Sequence, residues 1–435
     1  MESIGTYVIY VIMVCAVLGA VASIYNPEGE LGQEFIAGLH SIGPIFIPVA
    51  GIMAAIPYIS AGISHVIAPL FQAIGADPGI AGPIFIASDM GGYQLAKALA
   101  QSQEGWILGL ITGFQCGATI IFVIPVGLAM LHKADHKYMA LGIMAGLLTI
   151  PLSIMIIAMT MQALGLSVRP DIATTGAATQ ALHFTWAMLL RNLMPLILFC
   201  IALAAALRYF PTLMVYLFLK LGQFMYIAVV LVLVASIVQY FTGLFSHLFG
   251  SWGFAPIIAD ADDQFRALEI AGYIGLMLCG AFPMVHLLKR FLARPIERVA
   301  SRFGMSGVGA AGVLAASANI LAMFRLVSEM PPKDKVLVIA FSVCAAFTFG
   351  DHMAFSANFQ PSLILPLMIG KLSGGLIAML LASWLAVPKA QELGRQDAAA
   401  GVCKGWPSRP EQKRHAHDPE RPGRSGFCVF NRSRR

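Results

Sequence analysis

The sequence predicts an all-α protein, a polytopic transmembrane helix bundle with about ten to twelve spans. Three observations support this fold class. The chain is 58% hydrophobic and only 11% charged, with a mean hydropathy of +0.78, whereas soluble domains carry roughly a quarter charged residues. Apolar runs of about 20 residues, the length that crosses a bilayer, recur along the chain. These runs are continuous, unlike the short alternating strands of a membrane barrel.

The spans follow one another along most of the chain. The clearest apolar segments are residues 4–24, 36–60, 105–131, 138–164, 183–207, 223–249 and 267–288. Segments interrupted by polar residues are 79–100, 307–327, 336–358 and 361–387. The first segment lacks a basic leader and a small-residue cleavage site, and further spans follow it. It therefore reads as a retained helix and not as a signal peptide.

Several classes of site find no support in the sequence. The seven cysteines are scattered without a CxxC pair, so neither a disulfide framework nor a zinc site is predicted, and we interpret them as small apolar core residues. No Walker, GxSxG or HExxH motif occurs. We therefore expect no cofactor, no metal, no ATP-driven pumping by this chain alone and no enzyme activity.

The basic charge is concentrated at the C-terminus. Ten of the 28 basic and four of the 22 acidic residues lie from Leu393 onward, so residues 1–392 are neutral and the net charge of +6 lies in the tail. Residues 393–435 are rich in Pro, Arg, His and Gly and lack an apolar face, so we expect them to be disordered. A solvated end is a more economical interpretation than a lipid-binding or nucleic-acid-binding tail. The predicted transmembrane domain is therefore residues 1–392.

Basic loops predict the orientation, because Lys and Arg remain on the cytoplasmic side. The stretch 289–302 holds Lys289 and four arginines, which places it inside. Counting spans from there puts Glu28 to Glu34 and Asp260 to Asp263 outside and the N-terminus inside. The same count puts further basic residues inside, namely Lys133, Lys137, Arg208 and Lys220. It also puts the basic tail outside, against the rule, unless one of the last segments is re-entrant.

A weak internal repeat relates residues 36–131 to residues 307–387. Ala50–Ala55 parallels Ala311–Ala316 at an offset of about 261 residues, and a lone intramembrane aspartate follows each copy. The first copy enters the membrane from outside and the second from inside, as inverted-topology repeats do. Chance similarity among small apolar residues is an equally good explanation.

Two intramembrane aspartates are the strongest candidates for a functional site. Asp89 precedes the pair Gly91-Gly92, which favours a helix break, and Tyr93 follows. Asp351 follows Gly350 at the end of another apolar run. A charged group inside a membrane costs at least about 2.5 to 3.5 kcal/mol, so its presence indicates a solute path or a buried partner. Broken helices with carboxylates are typical of cation sites in transporters, and the pair predicts a small cationic solute.

Other polar residues in these segments have two interpretations each. Lys97 and Lys371 either belong to the site or form structural ion pairs with the aspartates. His352 either senses pH or is a plain hydrogen-bonded histidine. Asn319 and Gln115 either line the path or form interhelical hydrogen bonds.

Several stretches resemble the ethanolamine utilisation transporters, the EutH-type permeases. They are Ala87–Lys97, which contains Ser-Asp-Met-Gly-Gly-Tyr, Ala140–Pro151, Gly280–Met284, and Ala345–Phe355 followed by Leu365–Leu372. The resemblance runs in order over roughly residues 5–388. It implies a permease of the bacterial inner membrane whose substrate is ethanolamine, an amine that is protonated at neutral pH.

The chain departs from the family pattern at three places. Ser88 stands where the family has cysteine, and Ala318-Asn319 where it has a double asparagine. The tail from Leu393 does not resemble the family, which suggests a frame change or a fused segment. Deleting residues 396–435 is therefore expected to leave uptake unchanged.

Competing interpretations stay open at this point. The leading one is an ethanolamine permease with Asp89, Asp351, Asn319, His352 and the Gly91-Gly92 break at its site. Close variants are a channel-like facilitator and a transporter of another small cation. A membrane scaffold or receptor subunit is a second class, and a membrane enzyme with paired carboxylates is the least favoured. The sequence predicts no oligomeric state.

Overall fold

A computed structural model describes residues 4–399, and the residues up to Leu393 form one compact unit. The prediction of an all-α bundle is confirmed. The helices are α1 Ile4–Tyr25, α2 Glu30–His40, α3 Ile42–Val66, α4 Ala68–Ala73, α5 Gly92–Leu99, α6 Gln103–Thr112, α7 Ile124–Met130, α8 His136–Leu147, α9 Ile150–Ala163, α10 Trp186–Tyr209, α11 Pro211–Thr242, α12 Leu244–Phe249, α13 Ala267–Arg302, α14 Gly307–Ala318, α15 Ile320–Val327, α16 Pro332–Ala345, α17 Asp351–Phe359, α18 Ile364–Leu385 and α19 Val387–Ala399.

Short elements complete the fold. Two strands, β1 Ser167–Val168 and β2 Gln180–Ala181, pair antiparallel in the α9–α10 loop. The α6–α7 region is continuous through two π-helical turns, Gly113–Gly117 and Thr119–Val123. Such turns are rare and occur mostly at functional sites.

Fewer helices than predicted span a membrane in one piece. Within residues 4–399, seven helices are long and apolar enough, and α8 with α9, bent by 40°, makes an eighth. The predicted segment 336–358 is divided between α16 and α17, which together complete a further crossing. The remaining difference comes from segments 79–100 and 307–327, which fold back on themselves.

Residues 306–327, the second hairpin, enter and leave the bundle on one face. Ser306 precedes α14, and its backbone N–H and hydroxyl both donate to the Asp334 carboxylate in the first turn of α16, at 2.8 and 2.6 Å. The start of α14 and the end of α15 therefore lie at the same depth in the bundle, so these two helices form a re-entrant hairpin. The polypeptide then crosses through α16 and α17, the second broken helix, and returns through α18.

Residues 78–99, the first hairpin, have the same construction. Asp77, just before it, accepts a 2.7 Å hydrogen bond from the hydroxyl of Ser102, which caps α6. The hairpin therefore begins and ends at one face. The chain then crosses through residues 103–130. We call this continuous span the first broken helix, because π-helical turns interrupt its α-helical hydrogen bonding between α6 and α7.

The charged residues identify two faces. We call the face that carries residues 289–302, Lys133 and Arg208 the basic face. Asp135 pairs with Lys335 there, both side chains nearly buried, and Lys333 donates to the Gly304 carbonyl at 3.1 Å. The second hairpin enters from this face. The first hairpin enters from the opposite face, where Lys97 donates to the Pro170 carbonyl at 2.9 Å.

The predicted placement of the N-terminal segments is wrong. Glu30 lies 3.8 Å from His286, and both line one surface pocket with Glu34 and Lys289, so the acidic stretch shares the basic face. The start of α1 lies on the opposite face, because Gly5 packs on the Pro361 backbone at the far end of the second broken helix. The first hairpin caused this error, because counting it as a crossing reverses the predicted orientation of every segment before it.

The second hairpin also removes the conflict at the C-terminus. With α14 and α15 re-entrant, α18 ends on the basic face, in agreement with the positive-inside rule. Residues 393–399 belong to α19, and the rest of the predicted disordered tail lies outside the described residues. The two hairpins enter from opposite faces, but the repeat between residues 36–131 and 307–387 stays a prediction.

Small residues allow the helices around the broken segments to pack closely. A methyl group at Gly142 or Gly146 of α8 would overlap the side chains of Ile339 and Val343 on α16. The hydroxyl of Ser153 on α9 donates to the Gly370 carbonyl of α18 at 2.8 Å. In a membrane, such close backbone approach and interhelical hydrogen bonding replace the hydrophobic effect as the cause of association.

Candidate functional site

Both hairpin tips and the second helix break meet at one cavity of about 850 Å³. The predicted site residues Asp89, Asn319, Asp351 and His352 all line it. They come from three separate parts of the fold, since Asp351 and His352 are both in α17, and Asp89 is more than 200 positions from the others in the chain. The fold therefore brings together the polar groups that the sequence singles out in distant segments.

Asp89 lies at the tip of the first hairpin, in the short turn Ser88–Met90. The turn closes because Gly91 adopts a φ of 98°, a conformation that costs other residues energy. The hydroxyl of Ser88 fixes the tip by donating to the Leu110 carbonyl of α6 at 2.6 Å. Asp89 precedes the N-terminus of α5, where the helix dipole favours a negative charge.

Asp351 is the first residue of α17, directly after the unwound stretch 346–350. The backbone N–H groups of Phe347 and Phe349 donate to carbonyls of Ala316 and Ser317 at the end of α14, at 3.2 and 2.9 Å. The break is thus tied to the second hairpin. The N-terminal end of α17 favours the Asp351 carboxylate for the same electrostatic reason as at Asp89.

Asn319 and His352 are two of the polar residues, other than the aspartates, that line the cavity. Asn319 forms the tip of the second hairpin, and its side-chain oxygen accepts from the Leu321 N–H at 2.9 Å, which caps α15. His352 is 2% exposed and stacks beside Phe114, with ring centroids 4.5 Å apart. Its Nδ1 is buried without a hydrogen-bond partner in the described structure.

The carboxylates are not held by structural ion pairs. Neither Asp89 nor Asp351 forms a salt bridge within residues 4–399, and Asp89 Oδ1 is buried with no hydrogen-bond partner there. Asp89 and Asp351 line the same cavity, and their carboxylates would repel each other when both are ionised. An arrangement of this kind suits a cation, because buried carboxylates are costly unless they are paired.

The two lysines proposed as partners lie elsewhere. Lys97 is on the opposite face, 3.7 Å from Asp171 and 4.0 Å above the Trp106 ring. Lys371 on α18 is 1% exposed and donates to the Phe114 carbonyl at 3.2 Å. It is within electrostatic range of Asp89 but does not line the cavity.

Tyr93 and Gly92 have structural positions next to the site. A side chain at Gly92 would overlap the carbonyls of Ile86 and Ala87, so glycine lets the hairpin close. Tyr93 is fully buried, stacks on Trp106 with centroids 4.8 Å apart, and its hydroxyl accepts from Gln360 at 2.9 Å.

This contact belongs to a polar layer between the cavity and the opposite face. Gln360 accepts from the Arg169 N–H at 2.9 Å, and the Arg169 guanidinium donates to the Asn358 carbonyl at 2.7 Å. Partial burial lowers the pKa of Arg169 below its ordinary value, although arginine stays charged at neutral pH. The layer joins the α9–α10 loop to the ends of α5 and α17.

Sequence reasoning missed most of the cavity wall. The wall includes aromatic rings, whose faces attract cations, and they are Phe122, Tyr226, Phe282 and Phe347. Phe347 has a φ of 59°, the only positive value at a described residue other than glycine, and no sequence signal predicts it. The wall extends to Ala129, one residue before the end of α7, so the cavity reaches toward the basic face.

The chain has relatives along almost its whole length. Residues 4–385 match the family described as "Ethanolamine utilisation protein, EutH". Proteins named "Probable ethanolamine permease EutH" from Listeria monocytogenes serotype 1/2a (strain 10403S) and Escherichia coli (strain K12) are 32% and 34% identical to this chain. The alignments cover 88% and 83% of this chain and 95% and 86% of those proteins.

More distant similarity extends to a Bacillus subtilis (strain 168) protein named "Uncharacterized protein YxeR". It is 28% identical over 88% of this chain and 95% of its own length. No solved structure matches. The family match, the similarity to the curated relatives and the multi-pass helical bundle agree, and the chain belongs to the EutH family of ethanolamine utilisation proteins.

Proposed function

We propose that this protein is a permease that carries protonated ethanolamine across the bacterial inner membrane into the cell. The observation that carries the proposal is the cavity itself. Two carboxylates without cationic partners, one from a hairpin tip and one from a helix break, line it together. The names of the relatives supply the substrate, because two of them are described as probable ethanolamine permeases.

The chemistry of the cavity suits this substrate. The ammonium group of ethanolamine would donate charge-assisted hydrogen bonds to Asp89 and Asp351, and such bonds are roughly twice as strong as neutral ones. Aromatic rings at Phe122 and Phe347 would add cation–π attraction. Asn319 and His352 could hydrogen-bond the hydroxyl group, which distinguishes ethanolamine from a simple alkylamine.

The cavity also bears on the alternatives. A scaffold or receptor subunit has no need for unpaired carboxylates in a cavity, since ion pairs or amides hold helices together at lower cost. A membrane enzyme with a carboxylate pair would also use such a cavity. Catalysis, however, requires that a bond of the substrate is formed or broken, and transport of ethanolamine requires neither. A channel-like facilitator remains a variant of the same proposal and shares its site.

Uptake by purified protein tests the proposal. Labelled ethanolamine is supplied at low concentration and mildly acidic pH to proteoliposomes, because little neutral amine is then present to diffuse across the lipid. Asp89→Asn and Asp351→Asn should each lower uptake about ten- to hundredfold, the loss expected for one charged hydrogen bond. Asp262→Asn, the same substitution at an exposed loop position, is the matched control and should transport normally.

The result also separates the classes of function. Normal uptake by both cavity variants, with correct insertion shown by protease protection, would contradict the permease site. In a scaffold, the substitutions would disturb assembly, and the wild-type protein would not accumulate ethanolamine in vesicles that contain it alone.

A further inference from the structure

Lys371 is a buried basic residue whose hydrogen-bond partner, Phe114, packs against the cavity-lining His352. It lies in the middle of α18 and is 1% exposed. Its ammonium group donates to the carbonyl of Phe114, at 3.2 Å. Phe114 belongs to the π-helical turn Gly113–Gly117, where the irregular backbone leaves carbonyls free to accept. A neutral donor of similar length would satisfy that carbonyl equally well, so the hydrogen bond does not explain the charge.

The surroundings of Lys371 explain the charge better. The titratable groups facing it are Asp89 from the first hairpin, His352 from α17 and Cys344 from α16. Of these, Asp89 supplies the negative charge. The neighbouring Gln115 is fully buried, and both its side-chain polar atoms lack partners among the described residues. The surroundings of Lys371 are therefore polar.

The charges of this region can be counted. With both aspartates ionised and Lys371 protonated, Asp89 and Asp351 bring two negative charges to the cavity wall, and Lys371, buried behind Phe114, brings one positive charge. In a membrane interior, charge that is not balanced costs several kcal/mol. A monovalent cation in the cavity balances the remaining charge, whereas a dication of similar size leaves an excess positive charge.

We propose that Lys371 sets the net charge of the substrate site and thereby selects monovalent ammonium compounds over dications. This inference rests on the proposed permease function and assigns Lys371 as a specificity-determining residue. Lys371 acts through Asp89, without contact with the substrate. Replacing its charge should change which substrates are accepted more than it changes the structure.

Two labelled amines of similar size test this selectivity, ethanolamine and 1,3-diaminopropane, which is a dication at mildly acidic pH. In wild-type proteoliposomes, ethanolamine uptake should exceed diaminopropane uptake. Lys371→Gln keeps a donor for Phe114 but removes the charge, and the uptake ratio should shift toward diaminopropane about tenfold. Lys371→Arg keeps the charge and should keep the wild-type ratio, as should the exposed control Lys389→Gln.

A charge-restoring variant makes the test more specific. Asp351→Asn combined with Lys371→Gln returns the net charge to one negative unit, so preference for the monocation should return although uptake is weaker. An unchanged ratio in inserted Lys371→Gln protein, or an equal shift in Lys371→Arg, would overturn the inference. Neither result affects the proposed function, which is tested separately by ethanolamine uptake in wild-type, Asp89→Asn and Asp351→Asn vesicles.

A measurement on the wild-type protein covers the case in which Lys371→Gln does not fold. Propylamine and 1,3-diaminopropane differ by one ammonium group and are compared as inhibitors of ethanolamine uptake. The monocation should inhibit at a concentration about tenfold lower than the dication. Equal inhibition by both would overturn the inference.

Discussion

Each half of the site consists of a hairpin and the interrupted helix that follows it. The acid and the amide occupy opposite positions in the two halves. In the first unit, residues 77–130, the hairpin tip carries an acid, Asp89. The π-helical turn that interrupts the first broken helix carries an amide, Gln115. In the second unit, residues 306–359, the tip carries the amide Asn319, and the acid Asp351 is at the break. Each unit therefore contributes one carboxylate to the cavity.

The points that fix the hairpins show the same exchange. In the first unit, the acid Asp77 stands at the start of the hairpin and binds Ser102 on the broken helix. In the second unit, Ser306 stands at the start of the hairpin and binds the acid Asp334 on the broken helix. Both units therefore have a serine–aspartate hydrogen bond at this point, with the positions of the serine and the aspartate exchanged. This indicates that the depth at which each hairpin is fixed in the bundle matters more than which residue donates the bond.

This comparison gives a physical reason for the arrangement of the site. The units enter from opposite faces, and a cation between Asp89 and Asp351 would attract both at once. Substrate binding would then favour conformations in which the two units are close together. A single unit with both acids would bind the cation without any effect on the other unit.

Exchanging the acid and the amide between the tips should have the largest effect. Asp89→Asn alone removes one of the two charges, whereas Asp89→Asn with Asn319→Asp restores the number of charges and moves one to the other tip. Both tips line the same cavity. We expect the double variant to transport within about tenfold of wild type and better than Asp89→Asn alone, because the charge sum dominates binding.

Uptake of labelled ethanolamine by the single and double variants measures this effect. Asn319→Asp alone is the control, since it adds a third carboxylate and should weaken discrimination against dications. If the double variant is no better than Asp89→Asn, the position of the acid matters and the two tips are not equivalent.

Removing the two anchors should have a smaller effect, on stability. Asp334 is 1% exposed and accepts two hydrogen bonds from Ser306. Asp77 is 9% exposed and accepts from the Gly79 N–H as well as from Ser102. Replacing either by alanine leaves buried donors unpaired, and we expect each to lower the free energy of unfolding by about 2 kcal/mol.

Unfolding in mixed detergent micelles, followed by circular dichroism, measures this loss. Asp262→Ala, at an exposed loop position, is the matched control and should change stability little. A large loss at one anchor and none at the other would show that the two hairpins are held differently, contrary to the comparison.

The sequence was sufficient to single out polar residues that line the cavity. Both aspartates are visible because a charge stands out in an apolar segment, and Gly91 and Gly350 beside them mark breaks that the structure contains. The predicted segment 336–358 also ends within one residue of the end of α17 at Phe359. Local composition determines these features, so they can be found without knowledge of the tertiary structure.

The path of the chain could not be predicted in the same way. A re-entrant hairpin has the length and hydrophobicity of a crossing, and only the tertiary hydrogen bonds at Asp77 and Asp334 distinguish the two. The sequence therefore placed the N-terminus on the wrong side. The position of Lys371 behind Phe114 and the positive φ of Phe347 likewise depend on packing between segments distant in sequence.

The hairpin tips also differ in backbone geometry, and this predicts the smallest effect. The first tip turns through Gly91 at a φ of 98°, whereas Asn319 at the second tip is extended, with a φ of −152°. Gly91→Ala should lower the free energy of unfolding by about 1 to 2 kcal/mol, because an L-residue is strained there and its methyl group would press on Ile52 and Met53.

Asn319→Ala loses only the capping hydrogen bond to Leu321 and should cost about 1 kcal/mol. Micelle unfolding of the two variants compares these costs, with Gly165→Ala as a control for strain alone, since Gly165 has a φ of 58° and no neighbours to press on. If Gly91→Ala is no more destabilising than Gly165→Ala, the first tip has room to adjust. Its position would then be fixed by Ser88 and Asp77, as the second tip is fixed by Asp334.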